Sequence, residues 1–204
     1  YKAGNITDPH ELFIKAMRSH VDGVQILSPE EWALSRWGEQ HVYYWTHEDN
    51  LIVWGCASSS KSWDFGLLSY VDWAVSPLNT ITLMCSTSKE ALQKRTFASV
   101  VHYAQLFKYK GLPFPGNYVP SRVAITLPAD DESQGSTKVG IFGVAVKEGP
   151  VAEAVGKIRG MHADGVRLIV DELSAMPPAV WDPKLRYNLK SGAKSCKTIG
   201  LTNI

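Results

Sequence analysis

Leu51-Ile52-Val53-Trp54-Gly55-Cys56-Ala57-Ser58-Ser59-Ser60-Lys61-Ser62 is the stretch that decides the fold. Its opening apolar residues, several of them β-branched, predict a buried strand. A run of small residues follows, and Lys61-Ser62 opens a pattern of helical period. Strand, small-residue turn, Lys-Ser and helix compose a phosphate-binding loop, in which backbone N–H groups of the turn wrap the phosphates of a nucleotide. On this reading Gly55, Cys56, Ala57, Ser58, Ser59 and Ser60 form the nucleotide-binding turn. Lys61 reaches the β- and γ-phosphates, and the Ser62 hydroxyl ligates Mg²⁺. The motif Gly-x-x-x-x-Gly-Lys-Ser/Thr is met except at one place, where Ser60 replaces the second glycine.

The other half of the site lies far along the chain. Val166-Arg167-Leu168-Ile169-Val170-Asp171-Glu172 is an apolar strand tipped by two carboxylates. Ligands of a parallel sheet gather at the carboxyl ends of its strands, which would place Asp171 and the turn after Val53 along one edge. Mg²⁺ prefers oxygen ligands, so Asp171 and Ser62 are suitable partners for it, directly or through water. Glu172, off the metal, would orient and deprotonate the water that attacks the γ-phosphate. A strand that merely meets an exposed turn is the alternative for Asp171-Glu172. Lys197 to Asn203 is a third strand, ending in Thr202 and Asn203. Those side chains face either the γ-phosphate and its water or an ordinary turn.

Around these motifs the pattern is of alternating helices and strands. Asp8 and Pro9 predict the start of a helix that runs to Ser19. Ser28-Pro29-Glu30-Glu31 has the form of a capping box and predicts a helix carrying Trp32, Leu34 and Trp37, ending near Gly38. Val42-Tyr43-Tyr44-Trp45 reads as strand-like. A helix over Ser62–Val75, a strand over Thr80–Cys85 and one long helix from Lys89 to about Lys110, capped by Ser88, are expected next. The basic residues of that long helix, Arg95 among them, read as a solvated face. Arg122–Leu127 and Lys138–Val146 predict an antiparallel strand pair. Residues 1–39 are expected as a helical appendage or lid and 40–204 as the core. A start at Tyr1 and a stop at Ile204 suggest a piece of a longer chain.

Composition narrows the choice of function. With 204 residues, 45% hydrophobic and 20% charged, the chain holds enough apolar material for a sizeable core. The net charge of +1 creates no strong field toward nucleic acid or an anionic membrane, so any contact with DNA needs a local patch. Three widely spaced cysteines argue against a disulfide framework or a cysteine-rich zinc site. The six histidines show no metal-ligand spacing, which argues against a metal-centred hydrolase. No apolar run is long enough to span a bilayer.

The loop at 55–62, Ile-Arg-Gly-Met-His at 158–162, Leu-Ile-Val-Asp-Glu at 168–172 and Gly-Leu-Thr-Asn at 200–203, in that order, resemble the motor domain of the large terminase subunit, the DNA-packaging ATPase of tailed bacteriophages. The resemblance runs from Gln40 to the end. It implies an α/β P-loop NTPase of the RecA-like (ASCE) type, with a mainly parallel sheet flanked by helices on both faces. It further implies ATP and Mg as cofactors, catalytic roles for Glu172 and Lys61, and an adenine-side position for Gln40. Thr202 and Asn203 match the motif that couples hydrolysis to DNA movement. Arg159 faces the nucleotide or forms a structural salt bridge. The partners implied are double-stranded DNA, further copies of the chain in a ring, the portal protein and the small terminase subunit, in the host cell cytoplasm. The family's loop carries an arginine before Gly-Lys, and this one does not, so that charge must come from elsewhere, for instance a neighbouring subunit. The family also carries a nuclease domain, for which no residues are expected within the stretch that ends at Ile204. Two other readings are a helicase-like ATPase and an interaction module that binds nucleotide weakly without turnover.

Overall fold

The computed structural model describes residues 8–56, 59–128, 139–146, 158 and 161–203. The described residues open with helix α1 (Pro9–Arg18), whose cap is the Asp8 carboxylate accepting from the His10 N–H. A short hairpin, β1 (His20–Val21) and β2 (Val24–Gln25), leads to α2 (Arg36–His47). Then come β3 (Asn50–Gly55), α3 (Lys61–Val75), β4 (Thr80–Ser86), α4 (Lys89–Lys94) and α5 (Thr96–Tyr109). Three short strands follow, β5 (Asn117–Val119), β6 (Ala124–Thr126) and β7 (Gly140–Ala145). β8 (Gly165–Val170), α6 (Pro183–Lys190) and β9 (Ser195–Asn203) complete the fold.

Seven strands form one sheet in the order β3-β9-β8-β4-β7-β6-β5. The pairs β3–β9, β9–β8, β8–β4 and β4–β7 are parallel, whereas β6 and β5 are added antiparallel. The expected mainly parallel sheet with an antiparallel β6–β7 pair is therefore present. Side chains of a strand alternate between its faces, and the two faces carry separate apolar clusters. Met84, Ile169, Ile199 and Leu201 meet α1, α2, α3 and α5 through residues such as Phe65, Leu68 and Val100. Ile81, Leu83, Cys85, Leu168 and Val170 face Met176, Val180, Leu185 and Leu189 on the other side. Met17, Ile26, Leu27 and Trp32 belong to the first cluster, so the N-terminal segment and the sheet share one core.

Three local expectations are corrected. Ser28-Pro29-Glu30-Glu31 does close a capping box, with the Ser28 N–H donating to Glu31 Oε2 at 2.8 Å and the Glu31 N–H to Ser28 Oγ at 3.3 Å. It caps a single turn, however, and the helix proper starts at Arg36 behind a second cap, Ser35. Val42–Trp45 belongs to that helix and is not a strand: Gly38, His41, Val42 and Trp45 are its buried residues, and their spacing is helical. The long helix after Ser88 is broken at Arg95, whose backbone (φ −119°, ψ −106°) leaves the helical region. In addition β3, expected as a buried strand, forms an edge of the sheet, with Ile52 and Trp54 exposed.

α3 and α5 lie close because Gly66 faces Ser99. A Cβ added at Gly66 would meet the Ser99 side chain at 2.5 Å and the Thr96 carbonyl at 3.0 Å. Gly66→Ala should therefore push the two helices apart and destabilise the protein by roughly 1–3 kcal/mol, read as a lower denaturation midpoint; an unchanged midpoint would contradict this packing.

Candidate functional site

Everything at the site sits at the carboxyl edge of the parallel strands. β3 ends at Gly55, β8 at Val170 and β9 at Asn203, and parallel pairing sets Gly55 beside Asn203. A cleft of about 320 Å³ opens there, lined by Ser59 to Trp63, Arg95, Asp171, Glu172 and Leu201 to Asn203.

The loop closes on its own lysine. Lys61, the first residue of α3, is buried, and its ammonium donates to the carbonyls of Gly55 and Cys56 at 2.9 Å each and to Ser59 Oγ at 3.0 Å. It also donates to Asn203 Oδ1 at 3.1 Å. Burial lowers its pKa from the ordinary lysine value, against the opposing influence of Cys56 and the Asp171 carboxylate. Glycine at 55 leaves room for this geometry, since a Cβ there would meet Ser59 Oγ at 2.9 Å and the hydroxyl would have to shift. Ser60 adopts φ 60°, ψ 3°, the left-handed conformation that glycine takes without strain.

Across the cleft, buried Asp171 receives three donors. The Thr96 hydroxyl reaches Oδ2 at 2.5 Å, while the Glu172 N–H and the Ser62 hydroxyl reach Oδ1 at 3.1 and 3.4 Å. Glu172 is again left-handed, at φ 56°. One of its carboxylate oxygens accepts from the Arg95 guanidinium and the other from the Thr87 hydroxyl at 3.3 Å. That hydrogen bond to Glu172 raises the Arg95 pKa further above its usual value, with burial acting in opposition. The Thr202 hydroxyl donates to Ser174 Oγ at 3.0 Å.

Thus Gly55, Ser59, Ser60, Lys61, Ser62, Asp171, Glu172, Thr202 and Asn203 meet in one place. Cys56 is exposed and contributes its carbonyl. Gln40 is half-buried in the middle of α2 and does not line the cleft. Ala57, Ser58 and Arg159 lie outside the described residues. Arg95, Thr96 and Thr87 are additions that sequence reasoning did not single out. Thr87 follows directly on the end of β4, and its place at the carboxyl edge of a parallel strand is a signal that would have found it. Arg95 carries no such signal, because neither Gly nor Pro marks the helix break.

The same arrangement of elements occurs in phage large terminases. A large terminase from a thermophilic bacteriophage superposes with a TM-score of 0.57 over 82% of this chain and 38% of its own, at 15% identity. The large terminase ATPase domain of Thermus phage P74-26 superposes with a TM-score of 0.58 over 96% of this chain and 69% of that chain, at 14% identity. A mutant form of that domain gives 0.53 over 75% and 58%. This chain has the fold of a large-terminase ATPase domain, which is RecA-like. It spans well under half of the first of these terminases. No protein-family model and no curated protein matches the sequence.

The left-handed Ser60 yields a direct test of the loop. Its strain is worth about 1–2 kcal/mol, whereas the extra freedom of glycine in the unfolded chain costs about 0.4–1 kcal/mol. Ser60→Gly should therefore stabilise the protein by roughly 0.5–1 kcal/mol, seen as a raised denaturation midpoint.

Proposed function

We propose that this chain is the ATPase motor domain of a viral large terminase, hydrolysing Mg-ATP to drive double-stranded DNA into a procapsid. The observation that carries this reading is the meeting of Lys61 and Ser62 with Asp171 and Glu172 in one cleft, on a fold shared with terminase ATPase domains.

The loop amides and Lys61 bind the β- and γ-phosphates, drawing the ammonium from the loop carbonyls it now holds. Ser62 and Asp171 offer a hydroxyl and a buried carboxylate, two hard oxygen donors that would hold Mg²⁺. When bound, that ion neutralises charge on the phosphates. Glu172 orients a water and takes its proton as the water oxygen bonds to the γ-phosphorus, and the bond from that phosphorus to the β–γ bridging oxygen breaks to release ADP. Thr202 and Asn203 couple this change to DNA movement. Their support is the contact of Asn203 with Lys61. Gln40 on the adenine side and Arg159 at the phosphates rest on the resemblance alone. So do the ring of copies, the portal protein and small terminase subunit as partners, and action in the host cytoplasm. No helix among the described residues is long and apolar enough to cross a membrane.

A second reading, a module that binds nucleotide with little or no turnover, is favoured by the strained Ser60 and by the lack of a loop arginine. Steady-state turnover of Mg-ATP separates the two. Under the motor reading Glu172→Gln lowers kcat by about 10²- to 10⁴-fold while binding persists, and Lys61→Ala weakens binding by about tenfold or more. Turnover insensitive to both changes would remove the mechanism.

A further inference from the structure

Among the described residues, Arg95 is the one cation of the cleft that the loop motif does not explain. The break between α4 and α5 turns it out of the helix and into the cleft, where its guanidinium binds Glu172. About half of the Arg95 side chain is exposed, and Glu172 is more enclosed, at 24%. An exposed ion pair of this kind contributes little to stability, so a purely structural role is a weak account of it. Meanwhile the loop interior, Cys56 to Ser59, supplies no positive side chain. Arg95 and Thr87 take one lone pair on each Glu172 oxygen, so Arg95 can leave for another anion while Thr87 and water still serve the carboxylate. A triphosphate is the stronger anion for a guanidinium, which binds phosphate in bidentate fashion.

We infer that Arg95 acts in cis, holding Glu172 and exchanging it for the γ-phosphate when ATP binds. This rests on the ATPase reading above. It requires no residue from a neighbouring copy to supply the charge the loop lacks. The exchange sets the two residues in thermodynamic opposition. Glu172 competes with ATP for Arg95, and ADP, lacking the γ-phosphate, does not enter the competition.

A double-mutant cycle on the full chain tests this, with affinities for a non-hydrolysable ATP analogue and for ADP measured by titration calorimetry in Mg²⁺. Glu172→Gln should tighten the analogue by several-fold when Arg95 is present, and not in the Arg95→Ala background. Arg95→Ala alone should weaken the analogue by about tenfold and leave ADP unchanged, with Arg95→Lys recovering part of the loss. Equal melting temperatures of the variants confirm that folding is intact. If the two substitutions act additively, or if ADP and the analogue respond alike, Arg95 does not make the exchange, while wild-type binding and turnover keep the ATPase reading. If the wild type binds neither nucleotide, both inferences fall.

Discussion

The register of β9 is the constraint on which the cleft depends. This strand lies between β3 and β8 and pairs parallel with both, Gly55 opposite Asn203 and Val170 opposite Gly200. β3 and β9 thus end level, and Asn203 comes within reach of the lysine at the start of α3. A slip of one residue would turn Thr202 and Asn203 to the opposite faces of the sheet. What prevents the slip is burial on both sides. Ile199 and Leu201 are locked into the cluster beneath α3, and Gly200 lies so close to Leu173 that a Cβ there would come within 2.5 Å of it. The side chains of the cleft are therefore aligned by apolar packing at Ile199, Gly200 and Leu201 rather than by polar contacts of their own.

That dependence explains which features could be read from the sequence. Strand β3, the helix at Lys61, strand β8 with its carboxylates and the final strand were visible because each is a short apolar run with an abrupt polar end. The fit of loop and carboxylates into one edge followed from the rule that parallel strands gather ligands at their carboxyl ends. Val42–Trp45 was misread because its aromatic and β-branched residues favour strands locally. The helical spacing of the buried Gly38, His41, Val42 and Trp45 outweighs that preference, and one partner of this face is Asp64 on α3, buried against His41 Nδ1 at 2.8 Å. No local pattern announces a partner so distant in sequence. The edge position of β3 was hidden for the same reason, since neighbours in a sheet are set by topology.

Arg95 shows the limit more sharply. Its neighbours Lys94 and Thr96 are unremarkable in a helix, and the surrounding basic residues suggested a solvated face. The helix breaks there nonetheless, and both residues beyond the break serve the carboxylates: Arg95 meets Glu172, and the Thr96 hydroxyl meets Asp171. The demand of Asp171, a buried carboxylate, for hydrogen-bond donors provides a physical reason for the break, because unpaired buried charge is costly.

Strain and polarity coincide at the two walls of the cleft. Of the four non-glycine residues with positive φ among the described residues, Ser60 and Glu172 stand on opposite sides of it. Such conformations persist where the surroundings over-determine them. Ser60 is held through its carbonyl, which accepts from the Asp64 N–H at 2.8 Å in the first turn of α3. Glu172 is held by Arg95, by Thr87 and by its own N–H on Asp171. Lys61 meets the same demand from within the loop, its buried ammonium satisfied by oxygens of Gly55, Cys56, Ser59 and Asn203. Among the described residues, both cations of the cleft, Lys61 and Arg95, are thus paired with oxygens that a bound anion would have to displace. Because Lys61 spans β3 and β9 through Gly55 and Asn203, drawing its ammonium wholly onto a phosphate would remove a tie at the end of the neighbouring strand.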